Sequence, residues 1–415
     1  MHKNESPKNP RKQPAIGAGD RGLSLKTEKS NIMEQKELQK IVNPIYTTAK
    51  GTVMTLATSG DQNAIALCPH LEIEEIMGKG PKAPESFKKI YVIGQEVRFK
   101  IGNNAVLHRK EPVVVDLPSG YSPRGFVMAD AGRQYYGLDL PAVIDLMKPA
   151  VRKTMSDAQR KQVRYAAADA TGYQSVRDAL GRNQREICVI TEGLLGYLSE
   201  SELISMCRAV NRLLSEFGGC WITADRGMLG IYSAIYGALI NPDTAAFDAR
   251  IKSKGVGMAD VRFYQNSLFT GSGDDAAAFL KAQGFAVKAE SVSRYIHGLR
   301  TVDTATEKRI ADACAAMDIW TLTVAAPAED IEDADPPFAV DADTRDDVLL
   351  IRVQGRLDTL TAPELLKTYL AHSEMTGKTD IDLSGVTYVS SAGERVLRMI
   401  GKSYRQAEPL TQPTD

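Results

Sequence analysis

The chain has 415 residues, 43% hydrophobic and 25% charged, with a formal net charge of −1. That length holds one large domain plus a smaller one, and the balanced charge gives no reason to expect nucleic acid as the main partner. No apolar run approaches the roughly 20 residues that span a bilayer, and no apolar secretory stretch opens the chain, so neither a membrane nor export is expected.

Residues 1–34 mix Lys3, Lys8, Arg11, Lys12, Arg21, Lys26 and Lys29 with Gly, Ser and Pro, a composition that predicts a disordered tail. Beyond them strand-like and helix-like patterns alternate, which predicts an α/β unit with a parallel sheet covered by helices over residues 35–328. Its candidate strands are Val113–Leu117, Tyr135–Leu140, Val163–Ala168, Ile187–Thr191, Cys220–Ala224, Ala286–Glu290 and Trp320–Val324. The first stops abruptly in the small-residue turn Asp116-Leu117-Pro118-Ser119-Gly120, and Asp139 ends the second. A strand, a small-residue turn and an acid closing the next strand is the layout by which such sheets hold a nucleotide-like ligand. The spacing G-x-G-x-x-G is missing, and Pro118 has no N–H to offer a pyrophosphate. The turn therefore suits an adenosine ligand without a phosphate chain, such as S-adenosylmethionine (SAM), better than NAD.

Four acids, Asp116, Asp139, Asp169 and Glu192, fall at or just past the ends of successive candidate strands. A helix starts at Ser199, with Glu202 completing a capping box, and Leu203, Cys207, Val210 and Leu214 share one face before Gly218-Gly219 ends it. Cys68, Cys188, Cys207, Cys220 and Cys314 form no C-x-x-C pair and read as core thiols, which a reducing cytoplasm would keep free. Residues 329–345, acidic and interrupted by Pro336-Pro337, predict an extended linker. A short unit follows over 346–403, with strands at Val348–Val353 and Thr379–Leu383 and helices at Thr361–Leu370 and Ala392–Ile400; residues 404–415 read as a tail.

Asp116–Arg124 resembles the glycine-loop motif of the leucine carboxyl methyltransferase-like family of SAM-dependent methyltransferases. Asp139-Leu140-Pro141-Ala142-Val143-Ile144 is similar to that family's acidic strand end, Asp169-Ala170 to its adenine-binding pair, and Glu192-Gly193-Leu194-Leu195-Gly196-Tyr197-Leu198 to its Glu-Gly-Leu-x-x-Tyr-Leu signature. The resemblance implies a Rossmann-like class I methyltransferase sheet with helices on both faces and SAM as cofactor. It implies that Asp116 belongs to the cofactor loop, that Ser119 and Gly120 approach the methionine part and that Asp139 holds the ribose hydroxyls. Asp169 and the Ala170 N–H would meet the adenine, and Glu192 the ammonium. Arg98, with Lys100 as the alternative, would pair with the SAM carboxylate. Pro118 departs from the family's first glycine, and Ser122-Pro123 from its usual Asp-Thr.

Gly355-Arg356-Leu357-Asp358 and Asp382-Leu383-Ser384-Gly385-Val386-Thr387-Tyr388-Val389-Ser390-Ser391-Ala392-Gly393 resemble a STAS domain, the fold of anti-sigma-factor antagonists. That resemblance implies phosphorylation of Ser391 by a partner serine kinase and an anti-sigma-type protein partner. The final strand and helix usual in that fold have no counterpart, so a truncated module is expected.

Methyl transfer from a sulfonium is a direct displacement, so alignment and exclusion of water are the protein's main tasks. A carboxylate acceptor needs no base, whereas a phenol or amine does. No compelling base is present: His297 is the best candidate, Arg294 or Arg226 would clamp an anionic acceptor, and Tyr197 would line the pocket. Two readings stand. One is an O-methyltransferase of a small carboxylate- or hydroxyl-bearing substrate with an attached regulatory module. The other is a degenerate methyltransferase fold that senses SAM or its product and signals through that module.

Overall fold

The computed structural model describes residues 38, 42, 48–73, 84–182, 184–254, 265–269, 275–327, 335–345, 348–373 and 378–401; both predicted tails lie outside them. In chain order the large unit's main elements are α1 (Thr48–Thr58), α2 (Glu85–Leu107), β1 (Val113–Asp116), α3 (Arg124–Asp130), β2 (Gln134–Asp139), α4 (Pro141–Thr154), β3 (Val163–Ala167), α5 (Tyr173–Leu180), β4 (Ile187–Thr191), α6 (Glu200–Phe217), β5 (Gly219–Thr223), α7 (Met228–Leu239), α8 (Asp275–Ala282), β6 (Phe285–Ser291), α9 (Thr304–Ala313) and β7 (Asp318–Val324). The seven strands form one sheet in the order β3-β2-β1-β4-β5-β7-β6. The pairings among β1 to β5 are all parallel. This is the Rossmann-like sheet with helices on both faces expected above; β7 runs antiparallel to both β5 and β6, so the sheet is not parallel throughout. Strand order reverses between β1 and β4, which opens a crevice at the carboxyl edge of those strands.

The alternation along each strand explains the helices on both faces. Val113 and Val115 of β1 and Ile187 and Val189 of β4 face one core, lined by Leu203, Cys207, Val210 and Leu214 of α6. Val114, Cys188 and Ile190 face the other, against Ile90, Ile93 and Val97 of α2 and Ile231 and Ile235 of α7. All five cysteines are buried and free. The capping box expected at Ser199 is present, with Glu202 reaching back to the Ser199 N–H. Among the described residues no helix is long and apolar enough to cross a membrane.

The C-terminal unit comprises β8 (Ala339–Arg345), β9 (Val348–Leu357), α10 (Ala362–Ser373), β10 (Lys378–Val389) and α11 (Ser391–Met399). Residues 339–345, read from composition as linker, form a strand pairing antiparallel with β9, while β10 pairs parallel on the other side. Leu349, Ile351 and Val353 of β9 pack on Leu365, Leu366, Val396 and Leu397 of the two helices, and the buried Leu38 and Val42 join this core.

The two units touch through a few directed contacts. Arg356 donates to the Thr171 carbonyl and hydroxyl, both at 3.3 Å, while its guanidinium lies 3.9 Å from the Tyr388 ring centre. At the start of α11 the Ser391 N–H donates to Glu202 at 2.8 Å; its hydroxyl lies 2.9 Å from the other Glu202 oxygen and 3.0 Å from Gln265 Oε1. The Glu202 carboxylate thus caps two helix N-termini at once, its own and that of α11.

Candidate functional site

A cavity of about 510 Å³ opens at the carboxyl ends of β1 to β5. Of the residues predicted to bind cofactor, Arg98, Ser119, Gly120, Asp139, Asp169, Ala170 and Glu192 all line it. Asp116 does not. It is fully buried beneath the cavity floor, its oxygens taken by Arg124 at 2.8 Å and Tyr135 at 2.7 Å. Its side chain holds a neighbour in place where the resemblance implied cofactor contact. Lys100 is likewise off the cavity, so of the two candidates for the SAM carboxylate Arg98 alone lines it.

The loop after β1 is shaped by its small residues. Gly120 has φ +53°, a left-handed conformation that a Cβ would strain, and the Leu117–Pro118 peptide is cis. The Gly120 N–H does not point free. It donates to Asp139 at 2.7 Å, and the Leu140 N–H donates to the other Asp139 oxygen at 2.7 Å. Burial outweighs both donors and pushes the Asp139 carboxyl up to about 7. Sugar hydroxyls approaching it would favour its ionised form. Past β3, Asp169 Oδ1 accepts from the Thr171 N–H at 2.8 Å and hydroxyl at 2.6 Å. Its Oδ2 accepts no hydrogen bond among the described residues, and an exocyclic amine is the kind of donor that would fill it.

Below the loop runs a chain of buried charges. Arg124 bridges Asp116 and Glu192, at 2.8 and 2.6 Å, and its Nε donates to Asn103 at 2.9 Å. Glu192 also accepts from Arg98 at 3.2 Å, and Arg98 donates to the Tyr232 hydroxyl at 3.1 Å. Gly102 makes room for this: a Cβ there would lie 2.9 Å from an Arg124 nitrogen and 3.3 Å from Glu192. Burial by itself would raise the Glu192 carboxyl, but Arg98 and Arg124 outweigh it and hold it below its usual range. Burial raises Asp116 despite Arg124 beside it. The buried Arg98 Nε has no hydrogen-bond partner among the described residues.

Several functional residues escaped the sequence reading. Arg124 ended the quoted loop motif but received no role. Asp225 follows β5 as a fifth strand-end acid, continuing the series of four; it accepts from the Gly193, Leu194 and Leu195 N–H groups at 2.6 to 2.9 Å and fixes the Glu192 turn. Tyr197 lines the cavity as expected, whereas His297, Arg294 and Arg226 do not. His297 lies 3.4 Å from Asn104, Arg294 pairs with Glu290, and Arg226 stacks on Trp320. Part of the wall comes from the C-terminal unit, through Thr359, Ser391, Ala392 and Arg395.

Residues 339–408 match the STAS domain family, as the C-terminal resemblance implied. No curated protein matches the chain. Among solved structures, a glycopeptide N-methyltransferase, MtfA, complexed with S-adenosylhomocysteine is similar at 15% identity and TM-score 0.25, over 30% of this chain and 47% of that one. The chain therefore spans about half the length of that structure. An O-methyltransferase family protein from Burkholderia thailandensis is similar at 11% identity and TM-score 0.33, over 59% of this chain and 60% of that one. The CcbJ methyltransferase from Streptomyces caelestis is similar at 14% identity and TM-score 0.34, over 62% of this chain and 98% of that one. These are distant likenesses.

Proposed function

We propose that the large unit is a SAM-dependent O-methyltransferase of the leucine carboxyl methyltransferase-like kind, acting on a small carboxyl- or hydroxyl-bearing acceptor, with the C-terminal unit as its regulatory module. The observation that carries this reading is the meeting of Arg98 and Glu192 on the same cavity as Asp139 and Asp169. A guanidinium beside a carboxylate fits the carboxylate and ammonium of an amino acid; Asp139 fits a ribose and Asp169 an adenine amine. Bound SAM supplies an electrophilic methyl group on a sulfonium. The chain's own task is to align and to exclude water. Arg98 and Glu192 orient the amino-acid end, Asp225 holds the turn that carries Glu192, and the C-terminal unit covers the cavity. No side chain on the cavity is assigned as a base, which suits an acceptor already ionised at neutral pH. On the same reading Ser391 is modified by a serine kinase, and an anti-sigma-type protein binds the freed module.

A second reading, a sensor of SAM or its product that signals through the C-terminal unit, is favoured by one observation: Thr359, Ser391, Ala392 and Arg395 of that unit line the same cavity. Calorimetric titration of the full chain with SAM, S-adenosylhomocysteine and NAD tests the shared premise. Both adenosyl ligands should bind and NAD should not. Asp139→Ala and Arg98→Gln should each weaken binding by ~10- to 100-fold, the loss of charged hydrogen bonds. No heat with SAM would sink both readings, and binding without turnover on any carboxylate or hydroxyl acceptor would favour the sensor.

A further inference from the structure

The cavity is lined by three cations, Arg98, Arg124 and Arg395. Two are neutralised: Arg98 by Glu192, and Arg124 by Glu192 and Asp116. Arg395, on α11 of the C-terminal unit, is different. It is half-buried, donates to the Val42 carbonyl and forms no ion pair among the described residues. Burial and the nearby Arg398 push its pKa below the ordinary arginine value, so its surroundings penalise the charge. The charge of Glu202 offsets this only in part. Arg395 stands four residues after Ser391, hence on the same face of α11, and Ser391 is fastened to the large unit. The fastening therefore holds Arg395 at the cavity wall contributed by the C-terminal unit.

We propose that Arg395 is a specificity-determining residue, binding a carboxylate or phosphate group of the methyl acceptor, so that the C-terminal unit forms part of the acceptor site. The inference rests on the methyltransferase reading of the cavity. The anion held by Arg395 is the anchoring group and not the methylated one, since a charge pinned by a guanidinium fork is a poor nucleophile.

The test uses the full chain saturated with S-adenosylhomocysteine, which occupies Arg98, and NMR titration with benzoate, phenyl phosphate and the neutral isostere benzamide. At least one anion should bind ~10-fold or more tightly than benzamide. Arg395→Gln should abolish that preference, Arg395→Lys should retain it in weakened form, and neither should change the affinity for S-adenosylhomocysteine. Equal binding of benzamide and both anions would overturn the proposal, as would an unchanged preference in Arg395→Gln. So would an Arg395→Gln chain that loses S-adenosylhomocysteine while keeping benzoate, because the arginine would then serve the cofactor. Should Arg395→Gln fail to fold, the wild-type preference and Arg395→Lys decide the matter. Failure of S-adenosylhomocysteine to bind the wild type is a separate result, and it overturns the cofactor reading together with this inference.

Discussion

Replacing Arg124 with methionine removes the only cation among the described residues that pairs with Asp116. Both side chains are almost fully enclosed, at 2% and 1% exposure. In the variant Asp116 keeps only the Tyr135 hydroxyl at 2.7 Å, whereas Glu192 keeps Arg98 at 3.2 Å. The stranded charge is therefore Asp116, and breaking a buried pair from one side costs about 3–5 kcal/mol. At roughly 2–4 °C per kcal/mol for a unit of this size, the melting temperature should fall by roughly 6–20 °C. Urea unfolding followed by tryptophan fluorescence isolates the effect. The chain has only two tryptophans, and Trp221 and Trp320 both lie in the large sheet, so the signal ignores the C-terminal unit. Adding Asp116→Asn to Arg124→Met removes the stranded charge and should restore about 1–3 kcal/mol. A loss below about 1 kcal/mol, or no recovery in the double variant, would refute the account of Arg124 as the keystone of a charged chain.

Three further outcomes are expected. The Asp139 carboxyl titrates at about 7 when folded, because burial raises it from 3.8, so between about pH 4 and 7 the native state holds a proton that the unfolded chain has lost. The contribution of this group to stability is then greatest below pH 4 and falls toward pH 7, by up to about 4 kcal/mol at about 1.4 kcal/mol per pH unit; Asp139→Asn should remove that part of the profile, and an unaltered slope would count against it. Glu202→Gln keeps the shape but not the charge that caps α11, and amide exchange across Ser391–Ile400 should quicken by ~10- to 100-fold; equal protection would end the latch role. Phosphate on Ser391 adds about −1.5 to −2 charges where the hydroxyl lies 2.9 Å from Glu202, so the modified chain should lose the docked position of α11. Small-angle scattering would then show an expanded particle, and an unchanged profile would contradict the incompatibility.

What could be read in advance follows from the range of the interactions. Buried strands announce themselves as short apolar runs, and every candidate strand of the large unit lies within two residues of an observed one. Strand direction is not local, so the reversal of β7 left no trace in Asp318–Val324. The strand Ala339–Arg345 passed for linker because an edge strand with one wetted face carries charge there freely, here Asp341, Asp343 and Arg345, while only Val340 and Ala342 turn to the core. The acids at 139, 169 and 192 were legible because strand ends deliver them to one edge. Asp225 obeyed the same rule, and only a fifth step along the series was needed to find it. Asp116 looked like its neighbours in that series, but its partner across eight residues, Arg124, decides which way it faces. The meeting of Ser391 with Glu202 spans 189 residues and no local pattern encodes it.

Leu38 and Val42 fall within the span 35–328 expected for the large unit and precede its α1, yet they complete the core of the C-terminal unit. Their partners Leu397 and Ile400 are more than 350 residues downstream. At a synthesis rate of about 5–20 residues per second, the two apolar side chains wait roughly 20–70 s for the surface they belong to. The large sheet, whose five parallel strands are complete by Thr223, has time to form within that interval, and closing the two chain ends over it comes last. A fragment beginning at residue 335 carries the C-terminal strands and helices but leaves a vacant apolar notch in their core. The chain's beginning is thus a structural part of its end.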